Sequence, residues 1–175
     1  MKTKALYDIP FVGLKLGKHA FHYNIEKDFF ELYENAPIAR AEIQVNLEFV
    51  KKENIFDLGF NLSGWVNVEC DRCAENFDLD IEDRFQVFVK YKSERMVDKP
   101  TNDPDVVFIS RNDTTINLAD LIYEFTVLSI PMHKTHPDDE NGEPLCNPDI
   151  LDRLHSGGDD EDVDPRWSAL SKLKN

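Results

Sequence analysis

The sequence has no run near the ~20 consecutive apolar residues that a bilayer-spanning helix needs. Its first residues, Met1-Lys2-Thr3-Lys4-Ala5, are basic without the apolar stretch of a secretory signal. A cytoplasmic protein with no membrane association is therefore expected. Cysteine is scarce: 3 residues make no disulfide scaffold, and a chain of 175 residues does not need one to bury a core. In a reducing compartment these thiols read as metal ligands or redox groups instead. Also missing are a glycine-rich phosphate loop, a helical His-Glu-x-x-His pair, an internal repeat and any catalytic constellation, so a non-enzymatic protein is expected. Basic residues are short too: Lys+Arg 20 against Asp+Glu 34 gives a net charge of -14, which argues against a chain-wide nucleic-acid surface.

That charge is unevenly placed. Residues 137–164 hold 11 acids and one base, Arg153, a net of -10 that leaves only -4 for the rest. The body is nearly balanced and the C-terminal segment is the acid, a poor surface for RNA and a good one for a basic protein.

Apolar periodicity sets the architecture. Ala41, Ile43, Val45, Leu47 and Phe49 alternate with polar residues, the period-two mark of a strand with one wet face. Phe56, Leu58, Phe60, Leu62, Val66, Val68 and Cys70 continue on one parity, with Gly59 and Gly64 as places for a bulge or bend. Phe77, Leu79, Ile81, Phe85, Val87, Val89 and Tyr91 form a third alternating run, giving an antiparallel meander. Upstream, residues 11–30 read as a short strand, a turn and a second strand, with Phe29-Phe30-Glu31-Leu32-Tyr33 as a helical turn before Pro37. Residues 92–104 read as a loop, and Val106-Val107-Phe108-Ile109 as a buried strand. Leu118, Leu121, Ile122, Phe125, Val127 and Leu128 make a helical stripe with Asn117 as N-cap and Asp120 at the third helical position, stopped by Pro131. The fold class expected is α+β, a β-rich domain over residues 1–132 with a covering helix. Residues 133–175 form an irregular acidic return, pinned to that domain by a metal, and a short terminal helix carrying Trp167, Leu170 and Leu173.

The chemistry concentrates at Cys70-Asp71-Arg72-Cys73, a turn between two predicted strands. Two thiols two residues apart are half of a tetrahedral zinc site, and the return offers His133, His136 and Cys146. Cys70, Cys73, Cys146 and one histidine complete a closed Cys3His set that would hold a structural zinc. His136 is preferred; His133 comes so soon after Pro131 that it is held near the helix end, and it stands as the alternate. Two readings compete. The thiols act as small buried hydrophobes, or Cys70 and Cys73 form a redox pair, which normally opens a helix where a strand is predicted here. His19 and His22 read as surface side chains. Arg72 either makes the turn or contacts phosphate, and Trp65, on the parity opposite the apolar row, is either part of a second core or an exposed binding aromatic.

The ordered combination of Val68-Glu69-Cys70-Asp71-Arg72-Cys73, Asn117-Leu118-Ala119-Asp120-Leu121-Ile122 with Ile130-Pro131, and Asp164-Pro165-Arg166-Trp167 resembles the YceD family. The resemblance implies a role in accumulation of large-subunit ribosomal RNA or in ribosome assembly, with pre-ribosomal RNA or a basic ribosomal protein as partner and no catalytic residues. Family members commonly carry a Cys-x-Gly-Leu-Cys run after the helix, and here His133, His136 and Cys146 stand in its place. The alternative, an RNA-processing enzyme, needs an open metal position or a carboxylate cluster, whereas the zinc set assembled from these residues is closed. The acidic return favours a basic protein over RNA.

Overall fold

The computed structural model describes residues 4–34, 36–38, 40–92, 103 and 105–156. Through them run β1 (Asp8–Ile9), β2 (Gly17–Glu26), the one-turn helix α1 (Lys27–Phe30), β3 (Ala41–Lys51), β4 (Ile55–Glu69) and β5 (Asn76–Tyr91). After these come β6 (Val106–Ile109), β7 (Ile116–Asn117), α2 (Ala119–Leu128) and α3 (Pro148–Ser156). The chain divides into two compact units, one from Met1–Val68 and Phe77–Met132, the other from Glu69–Asn76 and His133–Asn175. No helix among the described residues is long and apolar enough to cross a membrane. The terminal helix expected around Trp167, the Asp159–Asp162 acids and most of the 92–104 loop lie outside the described residues.

In the first unit, β2 to β6 form a sheet in the order β2-β3-β4-β5-β6. β2 pairs antiparallel with β3, and β3 with β4, in one unbroken register from Ala41↔Val66 to Lys51↔Phe56. β4 and β5 are neighbours joined by six residues, a connection short enough only for antiparallel strands. The alternation read from the sequence has its cause in this arrangement. Ala41, Ile43, Val45, Leu47 and Phe49 are buried, while Glu42, Gln44, Asn46 and Glu48 face water. α2 covers the buried face, where Phe125 stacks on Phe85 with ring centroids 4.4 Å apart and meets Phe60 edge-on at 5.1 Å. The architecture is α+β, as expected.

Several details differ from the periodicity. β6 joins β5 in parallel, so the sheet is mixed. Residues 11–13 form a 3-10 turn instead of a strand, and Leu128 is exposed although it lies on the apolar stripe. β1 and β7, two residues each, pair as a separate small sheet. Asn117 belongs to β7 yet still caps α2, accepting the Ala119 N–H at 3.0 Å, and its amide nitrogen donates to the Lys4 carbonyl and to Asp8. Asp120 is the second helical residue, where its carboxylate accepts from Lys4 at 2.6 Å and from Tyr33 at 3.0 Å.

Gly64 is the position at which the sheet depends on glycine. It pairs with Ile43 at φ 148°, and a Cβ added there would stand 2.1 Å from the Glu42 carbonyl oxygen. A side chain would have to push apart two backbones held by the ladder. Gly59, on the same strand, has open space at its Cβ position. We expect Gly64→Ala to lower stability by about 3 kcal/mol and Gly59→Ala to stay within ~0.5 kcal/mol of the native chain. Urea midpoints at unchanged m-value measure both; equal effects would contradict the close approach at Gly64.

Candidate metal centre

The second unit is built from two pieces of backbone. β4 ends at Glu69, and the turn after it is closed by the Cys70 N–H to the Glu75 carbonyl and the Ala74 N–H to the Cys70 carbonyl, both at 2.9 Å. Ala74 takes the left-handed conformation at φ 60°. The fold of the turn points the Arg72 N–H at the Cys70 sulfur, 3.4 Å away. Asp71 then fastens the turn to the return segment. Its N–H donates to the Lys134 carbonyl at 2.8 Å, and its carboxylate accepts the Lys134 N–H at 2.7 Å and the Lys134 ammonium at 2.6 Å.

His136 and Cys146, ten residues apart, are brought together by a tight loop. Asp139 organises it, its Oδ1 accepting the N–H groups of Asn141 and Glu143 while its own N–H donates to the Glu143 carbonyl. Gly142 turns the chain at φ 84°, a conformation that favours glycine, and the Leu145 N–H closes back on the Pro137 carbonyl at 3.0 Å. Asn147 next hydrogen-bonds Glu75 at 2.6 Å and caps α3 by accepting the Asp149 N–H. α3 was not foreseen from the periodicity. Its signal is Asn147-Pro148-Asp149, an N-cap with proline in the first helical position, and then Ile150, Leu151 and Leu154.

These two pieces place one ligand atom each of Cys70, Cys73, His136 and Cys146 within 4.8 Å of one another. The Cys70 and Cys146 sulfurs are 3.8 Å apart, and His136 Nδ1 lies 3.4 Å from the Cys73 sulfur and 3.8 Å from that of Cys146. A tetrahedral zinc with Zn–S of ~2.3 Å and Zn–N of ~2.0 Å requires edges of ~3.8 Å between sulfurs and ~3.5 Å between sulfur and nitrogen. Those three edges fit that shape. All three cysteines are free and buried.

A family model described as the large ribosomal RNA subunit accumulation protein YceD matches residues 58–174, two-thirds of the sequence, and spans the whole ligand set. The chain belongs to the YceD family. No curated protein and no solved structure matches it.

The electrostatics of this YceD family member divide the thiols. Burial raises the Cys70 pKa, but the N–H groups of Cys73, Arg72 and His136 directed at the sulfur outweigh it and bring the value down to about 6. Cys146 is pushed up by burial and by its neighbours Cys70 and Cys73. Asp71 is held low by the Lys134 ammonium and the Lys134 N–H. Of the other candidates, His133 is exposed, with Nδ1 3.7 Å from Asp71, and stands outside the ligand cluster. Arg72 is exposed at the turn, its guanidinium 3.9 Å from the Cys146 sulfur. Trp65 is half-buried on β4 opposite Glu42, in the first unit. His19 and His22 bond the Lys15 carbonyl and Asn46, respectively. The turn at Cys73 leads into β5, so no helix N-terminus supports a redox pair there.

The lowered Cys70 pKa ties stability to pH. A group deprotonated more readily in the folded state adds stability above its unfolded value near 9 and loses that contribution as pH falls through about 6.

Proposed function

We propose that the second unit is folded around a structural zinc held by Cys70, Cys73, His136 and Cys146. The chain then acts as a non-enzymatic factor in the accumulation of large-subunit ribosomal RNA, through a basic protein partner. One observation carries this reading. Among the described residues of the second unit, only Cys70, Cys73 and Cys146 are buried, so three of the four candidate ligands are also its core, with His136 half-buried beside them. A small polar unit with no other apolar interior needs a cross-link to be ordered, and structural zinc supplies on the order of 10 kcal/mol in such cases. Zinc bound by four protein donors has no open position for substrate or activated water, which favours structure over catalysis. Three thiolates and a neutral imidazole leave that centre with one negative charge, and Arg72 faces it. The acidic segment from 137 to 164 complements a basic ribosomal protein better than it does RNA.

Protein purified without a metal-binding tag should contain one zinc per chain by elemental mass spectrometry. Cys73→Ser and His136→Ala should abolish it, and His133→Ala should retain it. Hydrogen exchange on Cys73→Ser should lose protection in residues 133–156 while β2 to β5 keep theirs; uniform loss would count against a local core. In cells, removing the protein should lower large-subunit relative to small-subunit ribosomal RNA. The wild-type chain should restore the ratio and Cys73→Ser should not. An unchanged ratio would overturn the functional reading.

A further inference from the structure

Trp65 lies half-buried on the outer face of the sheet, outside the apolar cluster that fills the first unit. The register sets Glu42 directly opposite it and Glu26 opposite Glu42, two like charges across one strand pair, an arrangement that costs stability. From β5, Asp78 accepts a hydrogen bond at 2.6 Å from Asn67, two residues along β4 from Trp65, so Asp80 and Glu82 project from the same face. Asp78, Glu48 and Asp57 are already faced by Arg40, Lys18 and Lys52. Glu42, Asp80 and Glu82 are exposed and form no ion pair among the described residues, although Arg40 and Arg84 stand on the same face. An open cavity of about 400 Å³ beside Glu82 is lined also by Asn46, Asn61, Ser63, Asp83 and Arg84.

A carboxylate-lined sheet face is explained by solvation alone, but a tryptophan among carboxylates that form no ion pair within the described residues is not. An indole face attracts cations, and a guanidinium can stack on it while bonding a carboxylate edge-on, a combination that suits arginine better than lysine. We propose that Trp65 with Glu42, Asp80 and Glu82 docks an arginine-bearing segment of a basic protein. The proposal rests on the basic-partner reading above and supplies its surface.

The test uses the full chain carrying Trp167→Phe, which leaves Trp65 as its one tryptophan. An arginine-rich peptide, dye-labelled for anisotropy, is titrated in beside a lysine peptide of equal charge. We expect a saturable, salt-sensitive change in Trp65 emission, tighter binding of the arginine peptide, and roughly tenfold weaker binding in the Glu42→Gln/Asp80→Asn variant. Both substitutions are at exposed positions, and thermal unfolding checks that the variant is folded. Affinity unchanged in that variant but lost when Asp159, Asp160, Glu161 and Asp162 are neutralised would overturn the docking face and leave the basic-partner reading standing. No binding of either peptide to the unaltered chain would overturn both. A Trp65 response to single-stranded RNA and not to peptide would overturn the proposal in favour of RNA.

Discussion

Three thiols and an imidazole gathered within one coordination radius are the constraint on which the second unit depends. The first unit has a conventional origin of stability, a one-sided sheet whose apolar face is covered by α2 and the N-terminal segment. The second has nothing comparable. Its described residues are mostly exposed and carry more acids than bases, and their order comes from hydrogen bonds at Asp71, Asp139 and Asn147 together with the four donors that meet at its centre. Hydrogen bonds exposed to water contribute little net stability each, so under the zinc proposal a cross-link through the donors would dominate the balance.

The division has its origin in the sequence, which is nonetheless an incomplete guide to it. β3 was legible because a long strand with one wet face alternates without interruption. β4 carried the same parity through Gly64, where the chain needs a residue without Cβ. β1 and β7 were not legible, because two residues have no period, and the parallel pairing of β6 was not, because partner choice is non-local. α3 was missed for a different reason. It is short and polar on average, with only Ile150, Leu151 and Leu154 on its apolar side, and its start is marked by capping chemistry instead of periodicity.

At the site, the residue types were legible and the choice between histidines was only partly so. Cys70 and Cys73 announce a half-site by spacing, while Cys146 and two histidines are ligand types without a spacing rule. The structure distinguishes the histidines through Asp71. By holding both the backbone and the ammonium of Lys134, it fixes the segment so that His136, two residues on, reaches the cysteines, and His133 stays at the surface beside the carboxylate. That latch pairs residues 63 positions apart, beyond what local pattern can reveal.

Membership of the YceD family gives the clamp its setting, an acidic protein linked by family to ribosomal RNA accumulation. The four donors join a turn and a charged return in one unit, so a metal bound there and the acidic segment would belong to one device. X-ray absorption at the zinc edge of the purified protein tests its centre most directly. A structural zinc on these four residues predicts a four-coordinate shell of three sulfurs at ~2.3 Å and one nitrogen at ~2.0 Å. A shell of oxygen and nitrogen donors, or no edge signal above buffer, would contradict it.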